Sequence, residues 1–439
     1  MSLEQKVSLS NANRANRALG KQDYKTLGLS ALGGALEFYD FVIYVFFAVV
    51  VSKLFFPADM PEWLKQLQTY GIFAAGYLAR PLGGIIMAHF GDLLGRKRMF
   101  TLSIFLMAIP TLLMGLMPTY ATIGVAAPII LLLLRVMQGA AIGGEVPGAW
   151  VFVSEHVPAR HTGLATGILT SGLTAGILLG SLMAVLINRI YSPAEIQAWA
   201  WRIPFIVGGA FGFIAMFLRR WLEETPVFTE MKAQRALSSG VPLFGVFKGN
   251  GLSVIVSMLL TWILSAAIVV VILMTPTLIQ KSLGITPLQA FIANSWAIIA
   301  LSIGAVFFGY LADRIGAGKA TLLGSLLLCV SSYHFYSNLA SHPEQLIANY
   351  ILVGFAVGVV GSFALTMVRG FPAKVRFSGL SFSYNTAYAI FGGMTPVLVA
   401  AGMKNTPLMP MYYVMAMSVL GMLIGLFLWL KKDLFFKNK

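Results

Sequence analysis

Glu37 and Asp40 stand three positions apart in a long apolar run, and Tyr44 follows four residues after Asp40. On a helix this spacing puts all three on one face. Carboxylates inside an apolar helix turn toward other helices or toward water, never toward lipid. Such a pair can take up and release a proton, and if coupled it titrates as a unit. A static packing or ion-pair network is the alternative. Asp40 lies deeper in the run and is the preferred coupling acid, with Glu37 as its auxiliary. Glu145, in a later apolar run, is a further candidate proton site that also suits pairing at a gate. Arg80 and Arg135 are the bases within apolar runs. Arg80 either reaches back to the membrane edge or points inward to pair with Asp40, Glu37 or an anionic solute. Arg135 suits a central polar network, and Gln138 beside it supplies both donor and acceptor.

In the second half of the chain, Trp262, Asn294, Tyr384 and Tyr388 offer neutral hydrogen bonds and ring contact instead of charge. The expected substrate-binding set is therefore Arg80, Arg135, Tyr44, Gln138, Trp262, Asn294, Tyr384 and Tyr388. Proton chemistry concentrates in the first half, and the second contributes shape and selectivity.

These side chains need a membrane-spanning scaffold. Of 439 residues, 58% are hydrophobic and 11% charged, against about 25% charged in ordinary soluble proteins. A soluble enzyme and a disordered chain are both excluded. The lone Cys329 excludes a disulfide framework. Apolar runs near 26–51, 67–90, 99–118, 122–154, 162–189, 203–221, 250–280, 288–311, 319–339, 345–369, 378–402 and 408–430 predict twelve transmembrane helices. The expected fold is an all-α membrane protein of two six-helix bundles. Residues 1–25 form a cytoplasmic N-terminal segment, 26–221 the first bundle, 222–249 a cytoplasmic linker, 250–430 the second bundle and 431–439 a cytoplasmic tail. Lys53, Lys65, Arg189, Arg202, Lys281 and Lys404 face the side opposite the termini in this parse. Apart from Arg80 and Arg135, the remaining 23 of 31 Lys and Arg residues share the termini's side. That bias predicts both termini inside. The net charge of +15 then reflects an anionic membrane surface rather than nucleic acid.

The two halves repeat a turn. Ala88-His89-Phe90-Gly91-Asp92-Leu93-Leu94-Gly95-Arg96-Lys97-Arg98 follows the second run, and Gly309-Tyr310-Leu311-Ala312-Asp313-Arg314-Ile315-Gly316-Ala317-Gly318-Lys319 follows the eighth. Both set Asp and Gly three apart ahead of a base. Asp can accept backbone N–H groups at a helix start, and the bases can hold acids at the interface. Asp92, Gly95, Arg96, Lys97, Asp313 and Arg314 are the expected cytoplasmic gate, with Glu155 pairing there.

This turn resembles the signature of the major facilitator superfamily, with Ala88 in place of its leading Gly and Leu93 in place of its usual Arg. Glu37-Phe38-Tyr39-Asp40-Phe41 with Tyr44, Ala79-Arg80-Pro81-Leu82-Gly83-Gly84, and Arg135 through Gln138-Gly139 to Gly143-Gly144-Glu145 and Glu155 resemble its metabolite:proton symporter family. That family includes proline/betaine, citrate, 2-oxoglutarate and shikimate carriers. The resemblance implies a proton-coupled symporter in a bacterial inner membrane, working by alternating access. The two arginines favour a small carboxylate as its solute. An amino acid or betaine-type zwitterion is the alternative, as is an uncoupled facilitator. Protons, the solute and membrane lipid are the expected partners, with no nucleic acid, and a monomer is expected. No metal-ligand pattern, nucleotide motif or catalytic triad appears in the sequence, so neither cofactor, metal nor enzymatic activity is expected.

Overall fold

The computed structural model describes residues 17–94, 96–219, 221, 229, 246 and 249–436, without the side chains of residues 66, 70, 91–94, 96–98, 100, 101 and 219. The described regular structure is entirely helical, and its longer helices are α1 (Lys21–Phe46), α2 (Glu62–Leu94), α3 (Arg96–Leu116), α4 (Ala126–His156), α5 (Thr162–Ile190), α6 (Arg202–Arg219), α7 (Gly251–Leu283), α8 (Pro287–Ile315), α9 (Ala317–Asn338), α10 (Pro343–Arg369), α11 (Ala373–Met403) and α12 (Met409–Leu430), with short helical pieces such as Ala48–Leu54 and Tyr120–Ile123 between them. Among the described residues, nine helices are long and apolar enough to cross a membrane. Counting the pair Pro193–Ala200 and Arg202–Leu218, bent by 49°, as one span makes ten. Each expected run overlaps one of the labelled helices with shifted ends, but two of these helices fall short as spans. The apolar part of α3 is only Leu102–Leu116, and α9 is diluted by Ser325, Ser331, Ser332, His334 and Ser337.

Local chemistry starts and stops these helices. Thr286 caps α8 in a reciprocal box with Gln289, and Pro287 occupies the first turn. Gly284 ends α7 at φ 64°, and Gly316 divides α8 from α9 at φ 93°. At the start of α1, Asp23 accepts from the Gly20 N–H at 2.7 Å and from Arg17 Nη2 at 2.8 Å. Its hydrogen bond raises the pKa of Arg17 above the ordinary value.

Each helix divides into a lipid face and a packing face. On α2, Leu78, Leu82, Ile86 and Phe90 recur every four residues and are exposed, whereas Arg80 is 1% exposed. Small residues bring the packing faces close. A Cβ at Gly139 would overlap Gly76, one at Gly143 would lie 2.7 Å from the Gly84 nitrogen, and one at Gly144 would lie 2.9 Å from Met87 Cγ. α2 and α4 are thereby locked along their length, which sets Arg80 and Arg135 on adjoining backbones. Helices α5 and α8 meet in the same way, with Gly167 and Gly309 in contact. Hydrogen bonds of 2.8 Å between Thr174 and Ser302 and 2.9 Å between Ser181 and Ser295 extend that seam.

The first and last described segments meet on one side of the molecule. Arg17 and Lys432 line a single cleft of about 720 Å³ there, together with Glu155, Asp313, Arg314, Arg369 and Arg376.

Candidate functional site

Arg80 and Arg135 are the centre of the buried polar interior. Helices α1, α2 and α11 surround Arg80 with rings: its guanidinium carbon lies 5.4 Å from the Phe41 centroid, 5.1 Å from Tyr77, 5.8 Å from Tyr384 and 4.5 Å from Tyr388. Arg135 is fully buried and lies 4.5 Å from Phe41, 4.6 Å from Tyr44 and 5.5 Å from Phe73. Phe41 is thus shared by both cations. Ring faces carry negative charge and hold desolvated cations by about 2 kcal/mol each.

Arg135 Nη1 donates to Gln138 Oε1 at 2.8 Å and to the Phe41 carbonyl at 3.3 Å. Its Nε and Nη2 have no hydrogen-bond partner among the described residues. Those two N–H groups lie on one edge of the guanidinium and form a fork that matches a carboxylate. Neither arginine forms an ion pair among the described residues. Buried cations left this way favour an anionic ligand.

Pairing of Asp40 with Arg80 or Arg135, one of the alternatives open from the sequence, is not made among the described residues. Asp40 is 1% exposed and turns to the glycine face of α6: a Cβ at Gly208 would lie 2.6 Å from its Oδ1, and one at Gly212 3.4 Å from its Oδ2. Neither oxygen has a hydrogen-bond partner among the described residues. The missing side chains of Gly208 and Gly212 are what make room for it. Glu37 turns instead toward α3 and α4. It lines one tight gap with Glu145, Ser103, Met107, Ala141 and Ile142, and Ser103 Oγ donates to Glu145 Oε2 at 2.7 Å. The structure brings Glu37 and Glu145 together, a proximity that their separation in sequence conceals.

The remaining expected solute-binding residues divide. Tyr44, Gln138, Tyr384 and Tyr388 gather at the arginines. Tyr44 also donates to the Thr69 carbonyl at 3.1 Å, and Tyr388 stacks on Tyr77 at 5.5 Å. No described contact joins Trp262 or Asn294 to either arginine. Trp262 stacks on Phe391 at 4.0 Å and donates to Tyr413 at 2.9 Å, which ties α7 to α11 and α12. Asn294 accepts from the Tyr350 hydroxyl at 2.7 Å within the α8–α10 packing. Sequence reasoning passed over Phe73 and Tyr77. The signal was present, since Phe73, Tyr77 and Arg80 follow a four-then-three spacing on one face.

On the side of the chain ends, the halves are joined by polar contacts. Asp313 accepts from the Gly163 and Leu164 N–H groups at 2.8 and 2.7 Å, capping α5 from across the seam. Arg376 Nη1 pairs with the buried Glu155 at 3.3 Å, and Arg369 donates to the Ala159 carbonyl. Nearer the arginines, Asn385 Nδ2 donates to the Gly143 carbonyl at 2.5 Å and Ser381 Oγ to the Gly84 carbonyl at 3.0 Å. Arg314 lies 5.0 Å from the Tyr310 ring. Gly95 and the side chains of Asp92, Arg96 and Lys97, the other half of the expected gate, lie outside the described residues.

Helices packed through glycine thus enclose buried, ring-lined charge. A family model described as "Sugar (and other) transporter" matches residues 28–241. The chain is 32% identical over 420 residues to the proline/betaine transporter of Escherichia coli (strain K12), covering 91% of this chain and 82% of that one. It is 31% identical over 421 residues to the proline/betaine transporter of Salmonella typhimurium, covering 92% and 82%. Among solved structures, the proton:xylose symporter XylE bound to 6-bromo-6-deoxy-D-glucose superposes with a TM-score of 0.75 at 16% identity, covering 93% of this chain and 95% of that one. A double Trp mutant of XylE gives 0.77. The chain belongs to the major facilitator superfamily, and its curated relatives there are proline/betaine transporters. It is an integral multi-pass membrane transporter of a small polar metabolite and not an enzyme.

Proposed function

We propose that this protein is a proton-coupled symporter that imports a small zwitterionic carboxylate of the amino-acid or betaine type. The carrying observation is the pair of buried guanidiniums walled by rings, with no acid paired to either among the described residues. In this proposal the solute's carboxylate docks on the Nε–Nη2 edge of Arg135, with Arg80 as the second cation. Its ammonium or quaternary nitrogen rests against the faces of Tyr44, Phe73, Tyr77 and Tyr388, by the same attraction that holds the guanidiniums. The proline/betaine names of the relatives support the zwitterion over the plain organic acid that the arginines alone favour. Two guanidiniums also suit a dicarboxylate, which is the second reading.

Asp40 is the proposed proton carrier, with Glu37 and Glu145 as an auxiliary acid pair. Two six-helix bundles, 26–221 and 250–430, rock about the solute. The contacts of Glu155, Asp313, Arg369 and Arg376 close the side of the chain ends, and the charge bias supports that side as the cytoplasm of a bacterial cell. The test is uptake into proteoliposomes under an imposed proton gradient. L-proline and glycine betaine should accumulate and compete with each other, while xylose should not compete. Accumulation of 2-oxoglutarate or citrate without competition by either zwitterion would replace this reading with the second one.

A further inference from the structure

The hydrogen bonds of Arg135 continue beyond Gln138 to a residue outside every sequence motif. Gln138 Nε2 donates to Thr111 Oγ1 at 2.6 Å, and that hydroxyl donates to the Met107 carbonyl, one turn back on α3, at 2.9 Å. Thr111 is fully buried. Its methyl points elsewhere. A Cβ placed on Gly208 would lie 2.8 Å from Thr111 Cγ2 and 2.6 Å from Asp40 Oδ1, so methyl and carboxylate are neighbours across the space that glycine leaves. One arm of Thr111 belongs to the Arg135 network, and the other borders an acid whose oxygens have no hydrogen-bond partner among the described residues.

Threonine in a helix divides between two χ1 wells, because its hydroxyl can bond the carbonyl of the preceding turn. Neighbouring staggered wells differ by about 120°, so one step can put the hydroxyl where the methyl was. The hydroxyl then faces Asp40 and gives up its bonds to Gln138 and Met107. We propose that Thr111 is a positioning residue that turns between these wells. It faces Gln138 while Asp40 holds its proton, and it turns to donate to Asp40 once the carboxylate is bare. Turning frees the Gln138 amide, which in turn loosens Nη1 of Arg135. Proton release at Asp40 is thereby transmitted to the guanidinium that grips the solute, without contact between acid and base. This inference rests on Asp40 as the coupling acid.

Other groups act on Asp40 as well. Its own helix carries Glu37 and Tyr39, whose hydroxyl donates to the Pro204 carbonyl at 2.8 Å. Helix α4 contributes Arg135 and Glu145. Helix α6 contributes Arg202, which is committed to the Gly115 and Met117 carbonyls at 2.9 and 2.8 Å. Helix α5 carries Arg189 in its last turn, and the bases of α3, Arg96, Lys97 and Arg98, have side chains outside the described set. Of these, Arg135 alone is joined to Thr111, through Gln138.

The test uses the full-length protein in lipid vesicles and needs no solute. Infrared difference spectra across pH isolate the Asp40 carboxyl band as the one absent in Asp40→Asn. Thr111→Val keeps the shape and removes the hydroxyl; Thr111→Ser restores it. The Thr111→Val midpoint should lie about one pH unit above wild type, since a donor to the charged form is lost, and Thr111→Ser should coincide with wild type. A purely packing role moves neither. Coincident wild-type and Thr111→Val curves, or Thr111→Ser tracking Thr111→Val, overturn the rotor and leave Asp40 standing. An Asp40 band that does not titrate in wild type overturns both.

Discussion

Arg135→Lys keeps the charge and removes the fork. Arginine holds Gln138 through Nη1, and its Nε and Nη2, which have no partner among the described residues, are the proposed docking edge for the solute. A lysine ammonium reaches the same region as a point charge with three donors and no planar edge. One of the two charge-assisted bonds to a carboxylate is then lost. Such a bond is worth about 1.5–3 kcal/mol, which corresponds to a rise in Kd of ~10- to 100-fold at 1.4 kcal/mol per decade. Weaker stacking of lysine against Phe41 and Tyr44 acts in the same direction. The assay is calorimetric or scintillation binding of L-proline and glycine betaine to purified protein at one fixed pH. Arg135→Gln serves as the variant that loses charge as well, and it should bind more weakly still. Arg135→Lys binding within twofold of wild type, in a protein of unchanged thermal stability, would refute the docking of a carboxylate on this edge.

Further outcomes follow from the same geometry. Asp40→Asn should abolish gradient-driven accumulation while exchange from preloaded vesicles persists; full accumulation with unchanged proton stoichiometry would remove Asp40 from the mechanism. Gly143→Val drives its side chain onto the Arg80 carbonyl and the Gly84 nitrogen. It should destabilise by about 1–3 kcal/mol or more in thermal unfolding, whereas Gly71→Ala, with open space around its Cβ, should be silent. In a Cys329→Ser background, a bifunctional thiol crosslinker about 8 Å long should join Ala159→Cys to Arg369→Cys, and adding Arg376→Gln should lower the yield by breaking the pair with Glu155. An unchanged yield would assign closure of that end to the other contacts.

What the sequence carried, and what it did not, follows from the range of each interaction. Apolar run length fixes where helices lie, because every backbone group in lipid must be satisfied within its own segment. The runs therefore matched helices even at α9, where serines dilute the apolar average. Side-chain direction within a helix was legible only to a face about 100° wide. Glu37 and Asp40 share such a face by spacing, yet Asp40 turns to Gly208 and Gly212 while Glu37 turns to Glu145. Which neighbour waits on either side depends on helix order in space, which periodicity does not encode. Trp262 illustrates the same limit from the other direction. An aromatic residue with a donor suits a binding site and a helix seam equally, and only the positions of Phe391 and Tyr413 assign it to the seam.

The separation of Asp40 from the two arginines bears on how coupling can work at all. A direct ion pair would fix both charges together, and substrate would have to break it before binding. Here the bases are held by ring faces, a carbonyl and an amide, while the acid lies among glycines on another helix pair. Ring faces attract a cation without neutralising it, so the positive field at the site remains available to a carboxylate. An arriving anion offsets that field, and a proton at Asp40 removes the nearby negative charge that would compete with it. In the proposed mechanism both ligands relieve buried charge at different addresses, and each makes the other's presence more favourable. Cooperative loading of solute and proton requires no shared contact between them, only a polar connection whose state depends on both. The chain from Arg135 through Gln138 to Thr111 is such a connection.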